Sequence, residues 1–162
     1  MILPDVLAPD LDIVFCGTAV GDVSARQGAY YAGPGNAFWP TLYQVGLTPR
    51  QLMPSEFREL LRWRMGLTDL AKEISGNDNL LTRKHFDCTR LSAIIREYRP
   101  KILAFTSKRA AQEYVGKFVG YGSQPEKDGD TALFVLPSPS GAARRYWNQQ
   151  LWQNLAQLRD KK

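Results

Sequence analysis

Two glycine-rich loops lie more than a hundred residues apart in the chain, and each follows an apolar run of strand length. The first, Phe15-Cys16-Gly17-Thr18-Ala19-Val20-Gly21-Asp22, continues to Tyr30-Tyr31-Ala32-Gly33-Pro34-Gly35-Asn36-Ala37-Phe38-Trp39. The second, Leu136-Pro137-Ser138-Pro139-Ser140-Gly141, leads to Arg144 and Arg145. In an open α/β sheet, loops at the carboxyl ends of neighbouring strands share one crevice, and ligands bind there. One loop offers aromatic rings and backbone amides, the other small residues, hydroxyls and arginines. That set suits a flat base held in a pocket with a phosphate chain outside it.

The elements that must position these loops are legible as apolar runs. Leu11 to Cys16, Ile102 to Thr106 and Ala132 to Leu136 are nearly continuous rather than alternating, as in parallel strands buried on both faces. A shorter fourth strand is expected around Gly66 to Leu70. Asn36 can cap a helix carrying Phe38, Leu42 and Val45 inward, stopped by Gly46. Thr82 can cap a helix with Leu91, Ile94, Ile95 and Tyr98 on one face, ended by Pro100. Ser107 opens a helix that closes near Gly116, and a last helix is expected from about Ala142 to Leu158. The stretch from Gly120 to Asp130 reads as an exposed loop. Strands alternating with helices predict an α/β fold: a three-layer αβα sandwich around a central, mainly parallel four-stranded sheet, forming a single domain over residues 1–162.

Composition narrows the function classes. With 162 residues, 44% hydrophobic and 23% charged, the chain suits an ordinary globular domain that needs no covalent staples. A net charge of +5 favours an acidic partner. Cys16 and Cys88 are too few for a disulfide framework or a structural metal site, and Cys16 reads as a small core hydrophobe. The sole histidine, His85, sits among helix-surface residues and reads as solvated. No apolar run approaches the ~20 residues needed to span a bilayer. The first residues lack the basic and apolar regions of a signal peptide. The expectation is a cytoplasmic monomer without membrane association or metal.

The first loop, the run Ala32 to Trp39, the Gly46-Leu47-Thr48 and Gly66-Leu67-Thr68 steps and the segment Leu136 to Gly141 together resemble the uracil-DNA glycosylase superfamily, most closely its mismatch-specific uracil/thymine branch. The likeness covers nearly the whole chain in the same order. It implies hydrolysis of the N-glycosidic bond of a base flipped out of single- or double-stranded DNA, leaving an abasic site, with no metal and no cofactor. Such a base must be extruded and read by its polar edge and flat face. Tyr31 matches the family's stacking aromatic, while either Tyr30 or Tyr31 could instead belong to the core. Backbone groups at Thr18 and Tyr31 correspond to those that address the pyrimidine edge. Asn36 matches a base-binding position and doubles as a helix cap. Ser138 stands where relatives carry Asn or His near the sugar, a catalytic position. Ser140 and Gly141 correspond to phosphate contacts at a helix N-terminus. Arg144, with Arg145 beside it, corresponds to the arginine that probes the gap left by the flipped nucleotide. Ala142 stands in place of a bulky wedge. Ser107 and Lys108 resemble a Gly-Lys phosphate contact.

The resemblance breaks at one position that matters. Two places after Gly17 the family usually carries Asn or Asp to orient water, and here stands Ala19, followed by Val20 instead of proline. Some branches with alanine there recruit another carboxylate, and Asp22 is the best local substitute, although an Asp after Gly21 also stabilises a turn. Thr18, Ser24, Gln27 and Asp69 are further candidates for positioning water. Gly21 replaces a bulky residue that screens out the thymine methyl group in some relatives, so 5-substituted pyrimidines are not excluded. Uracil is the expected substrate, with thymine, ethenocytosine and hypoxanthine behind it. The alternatives are a damage-recognising DNA-binding protein that has lost catalysis, and an unrelated α/β enzyme acting on a small nucleotide. The second lacks Walker-type spacing or a dinucleotide fingerprint.

Overall fold

The computed structural model describes residues 1–76 and 81–161. Its centre is β1 (Ile13–Gly17), in which all five residues are buried. Their alternation sends Ile13 and Phe15 to one face of the sheet, and Val14 and Cys16 to the other. Parallel partners flank β1 on both sides: β2 (Met65–Asp69), and β3 (Ile102–Phe105), which in turn pairs with β5 (Thr131–Val135). The sheet order is β2-β1-β3-β5-β4.

The fifth strand, β4 (Gly122–Asp128), corrects two expectations, the four-stranded sheet and the exposed loop at 120–130. It pairs antiparallel with β5 at the sheet edge, with a register irregularity between Ser123 and Lys127. Its sequence, GSQPEKD, carries no apolar run because an edge strand leaves alternate side chains in water and gains its place from backbone pairing. Pro125 is tolerated there because an edge does not need every amide.

Helices cover both faces. Phe38, Trp39 and Leu42 of α2 (Phe38–Gln44) join Trp152 and Leu155 of α5 (Gln149–Asp160) over Phe15. Leu91 and Ile95 of α3 (Cys88–Tyr98) and Ala110 and Ala111 of α4 (Lys108–Val115) cover Val14 and Cys16. The three-layer αβα reading holds. Asn36 Oδ1 accepts from the Phe38 amide at 2.9 Å, fastening the start of α2. Ser107 caps α4 by accepting from the Ala110 amide at 3.1 Å.

Two helix boundaries differ from expectation. Asp87, not Thr82, caps α3 through the Arg90 amide at 3.0 Å. Thr82 starts a separate 3-10 turn over Arg83–His85, in which His85 Nδ1 accepts from the Thr82 amide at 2.9 Å. The expected last helix is two pieces: a 3-10 turn at Gly141–Tyr146, then α5, restarted where Asn148 Oδ1 accepts from the Gln150 amide at 3.0 Å. Asn148 competes for the backbone as a cap does, which breaks the apolar period there. The segment Pro54–Trp63, absent from the sequence reading, is also 3-10 and buries Phe57 and Leu60 ahead of β2.

Phe15 is the keystone of this layer, touching Phe38 edge-on at 5.1 Å and stacking on Trp152 at 6.1 Å between ring centroids. Phe15→Ala is expected to destabilise the fold by about 3–5 kcal/mol in urea unfolding at neutral pH. A loss under about 1 kcal/mol would show that the aromatic cluster repacks around the hole.

Candidate active site

Both glycine-rich loops leave the carboxyl edge of the sheet, one after β1 and the other after β5. The Ala37 amide donates to the Pro139 carbonyl at 2.8 Å, joining them directly. A side-chain Cβ on Gly35 would lie 3.0 Å from an Arg144 guanidinium nitrogen, and Gly35 has φ +75°. Both the conformation and the close approach therefore call for glycine. Between the loops lies a cleft of about 710 Å³.

The cleft brings together most of the residues singled out in the sequence. Thr18, Gly21, Asp22, Tyr31, Asn36, Ser107, Ser138, Ser140 and Ala142 line it. Gly141 lies beside it, 3.5 Å from the Pro34 carbonyl oxygen as measured from where a Cβ would stand. Lys108, Arg144 and Arg145 are exposed outside the lining. Of the further water-positioning candidates, Asp69 and Ser24 line the cleft and Gln27 does not. Ser24 Oγ is occupied, accepting from the Ala32 amide at 2.9 Å.

The two adjacent tyrosines take different places. Tyr30 is in the core, its hydroxyl donating to the Pro4 carbonyl at 3.0 Å and accepting from Lys72 Nζ at 3.0 Å. Tyr31 faces the cleft. Its ring stacks on Phe38 with centroids 4.0 Å apart and planes 14° from parallel, and its hydroxyl hydrogen-bonds Thr106 Oγ1 at 3.0 Å. Burial raises the Tyr31 phenol above its ordinary range, so it stays neutral. Its φ of +54° is left-handed, a conformation that costs a non-glycine residue on the order of 1 kcal/mol and persists where packing holds it. The stack and the Thr106 bond supply that hold.

The second loop is tied up locally. Ser138 Oγ accepts from the Ser140 amide at 3.2 Å, and Ser140 Oγ accepts from the Ala142 amide at 3.2 Å. The expected helix N-terminus at Ser140 and Gly141 is the six-residue 3-10 turn instead, and one of its amides is already satisfied.

Two carboxylates reach the cleft, and their environments are opposite. Asp22 is the first residue of α1 (Asp22–Gln27), exposed on the rim, where it accepts from the Ser75 hydroxyl at 3.1 Å. Asp69 ends β2 on the floor, 3% exposed. The Gly17 amide donates to it, and a Cβ on Gly17 would sit 2.8 Å from Asp69 Oδ1. Glycine at this position is what lets the carboxylate reach the β1 backbone. Asp69 Oδ2 has no hydrogen-bond partner, and Lys72 Nζ stands 3.9 Å from it. Lys72 is held in turn by Asp5 at 3.1 Å, and Asp5 also pairs with Arg90 and accepts from Thr68 Oγ1 at 2.7 Å. Burial pushes the Asp69 carboxyl up to about 7, opposed by Lys72. A buried carboxylate oxygen left unbonded costs on the order of 1–3 kcal/mol. Asp69 stands behind Asp22 among the sequence candidates, and its place at the carboxyl end of a parallel strand is the sequence signal that puts it at the cleft.

The fold and this cleft define a class, an α/β protein with a broad cleft at the carboxyl edge of its mainly parallel sheet. The family model of the Uracil DNA glycosylase superfamily matches residues 4–159, and the chain belongs to that superfamily. Among solved structures it is similar to the solution NMR structure of a candidate uracil DNA glycosylase from Methanosarcina acetivorans. The two share 21% identity over 98% of this chain and 97% of that one, with a TM-score of 0.68, so the likeness is one of fold. Membership supports a DNA glycosylase function with DNA as the partner. Among the described residues no helix is long and apolar enough to cross a membrane, and no group of three or more acidic, histidine or cysteine side chains could hold a metal ion.

The elevated Asp69 carboxyl has a consequence for stability. Its proton is held more tightly in the folded chain, at about 7, than at the ordinary 3.8. Its contribution to stability is therefore fully present below pH about 4 and is lost as pH rises toward and through 7. Asp69→Asn is expected to remove that decline, gaining on the order of 1–4 kcal/mol over the parent at pH 8 and little at pH 4 in urea unfolding. Identical pH slopes for the two proteins would show that the carboxyl titrates normally.

Proposed function

We propose that this chain is a monofunctional uracil-DNA glycosylase that hydrolyses the N-glycosidic bond of uracil flipped out of DNA, leaving an abasic site. The observation that carries the reading is one cleft lined by both an aromatic ring, Tyr31 backed by Phe38, and a buried, partly unbonded carboxylate, Asp69. The everted pyrimidine stacks on Tyr31, and its edge meets backbone groups at Thr18 and Tyr31. As the bond from C1′ to the base lengthens, positive charge grows on the sugar and the electron pair leaves with the uracil anion. Ionised Asp69 stabilises that charge and holds the water whose oxygen bonds to C1′. The water proton passes to the carboxylate, and thence to solvent or the departing base. Asp69 thereby supplies the polar group that Ala19 lacks, Ser138 lies toward the sugar, and Asp22 acts from the rim. Ser107, Lys108, Ser140, Gly141, Ala142, Arg144 and Arg145 face the DNA strand. The protein acts as a single-domain monomer in the cytoplasm.

Two specific observations bear on the alternatives. A side chain at Gly21 would meet nothing within 4 Å, which leaves room for a 5-substituent and supports thymine as a secondary substrate. Ala19, unable to orient water, supports a damage-recognising protein without catalysis as the second reading.

Release of free uracil from a uracil-containing oligonucleotide separates these readings. The rate is expected to rise with pH through a midpoint near 7, as Asp69 ionises. Asp69→Asn should lower it about 10²–10⁴-fold, and Tyr31→Ala should lower it by at least about 10-fold through lost stacking. Full activity in Asp69→Asn would reassign the catalytic carboxylate to Asp22. Uracil-selective binding with no base release would replace the enzyme by the binding protein.

A further inference from the structure

We infer that a strip of paired cations and aromatic rings beside the cleft, Lys108 with Tyr121 and Arg145 with Tyr146, binds the unpaired DNA strand that flanks the target base. The inference rests on the glycosylase reading and deepens it by naming the form of DNA this rim is built for.

The topology puts all four residues at the same edge as the cleft. Lys108 follows Ser107, which lines the cleft. Tyr121 precedes Gly122, which pairs with Val135, the last residue of β5. Tyr146 closes the 3-10 turn whose Ala142 and Ala143 line the cleft. Tyr121 and Tyr146 are near neighbours: burial raises the Tyr121 phenol, and the electrostatic influence of Tyr146 adds to it.

The chemistry is that of a stacking platform. Lys108 Nζ lies 4.3 Å from the Tyr121 ring centroid, and the Arg145 guanidinium lies 5.6 Å from that of Tyr146. Each cation lies over its ring. Tyr146 is 61% exposed, and Phe118, three residues before Tyr121, is 91% exposed. Of the four exposed aromatic side chains among the described residues, two (Tyr121 and Tyr146) belong to this strip. The cations are equally telling. Lys108, Arg144 and Arg145 have no carboxylate within ion-pair distance among the described residues, a state they share with Arg26, Arg58, Lys84, Arg99 and Lys127; what sets them apart is their place beside the cleft. Unpaired cations call for an anionic partner, and exposed rings call for flat apolar faces. A duplex offers phosphates but hides its base faces; a single strand offers both. Continuity with the cleft selects the strand that already carries the flipped nucleotide.

The test is fluorescence anisotropy with a labelled oligothymidylate free of uracil, alongside a duplex of matched length. Tyr146→Ala is expected to weaken single-strand binding about 5- to 100-fold while changing duplex binding less than about 2-fold, and Tyr146→Phe, which keeps the ring, should bind as the parent does. Tyr121→Ala should act in the same direction. Lys108→Ala should reduce the slope of log affinity against log salt by about 1. Unchanged single-strand affinity in both alanine variants, or an equal loss on single strand and duplex, overturns the inference and leaves the strip to a protein partner. Because the probe carries no uracil and the readout is binding, a chain that binds in this way without excising uracil would overturn the glycosylase reading alone. A chain that excises uracil with Tyr146→Ala binding unchanged would overturn the strip alone.

Discussion

Everything at the working end of this protein depends on the parallel alignment of β1, β3 and β5. Parallel strands put their carboxyl ends on one edge, so the chain that leaves β1 and the chain that leaves β5 emerge on the same edge with the end of β3 between them. The hydrogen bond from Ala37 to Pro139 then fixes their spacing, and Gly35 lets Arg144 close against the first loop. A slot formed in this way is shaped by backbone on both sides. Its width is therefore set by the sheet and little by the side chains that line it.

Within the slot the decisive physics is the placement of charge. Asp69 is expensive where it sits, buried and short of one hydrogen bond, and Lys72 lowers that cost only partly from 3.9 Å. Lys72 is itself kept in place by Asp5 and by the Tyr30 hydroxyl, so the N-terminal segment, the core tyrosine and β2 share one electrostatic cluster. Removing Lys72 would strand Asp69 and Asp5 without their shared cation, which couples the stability of this corner to the state of the cleft. A fold optimised for stability alone would place a neutral residue at 69. The carboxylate persists at a cost, as functional groups commonly do.

The surroundings of the slot divide by function. One wall is aromatic and rigid, with Tyr31 locked between Phe38 and Thr106. The opposite wall is made of small residues whose hydroxyls cap their own turn, so it presents little bulk toward the cleft. Beyond that wall the surface changes character, with Lys108, Arg145 and the rings of Tyr121 and Tyr146 gathered beside the cleft.

Much of this was readable in the amino-acid order. Continuous apolar runs identified three of the four parallel strands, because burial on both faces leaves few polar positions in them; β2, which carries Thr68 and Asp69, was expected only as a shorter fourth strand. The two glycine-rich loops announced the crevice, and Ser107 announced the start of α4. Neither β4 nor the broken last helix could be read this way: an edge strand is held by backbone bonds that leave no hydrophobic signature, and Asn148 is equally at home as a surface residue and as a cap. The choice between carboxylates was likewise beyond the sequence. Asp22 and Asp69 are the same side chain, and local order favoured the one nearer Gly17 along the chain. Only the β1–β2 pairing brings Asp69 against the Gly17 amide and buries it at the cleft floor, and burial, which has no expression in a linear string, is what separates a rim aspartate from a floor aspartate.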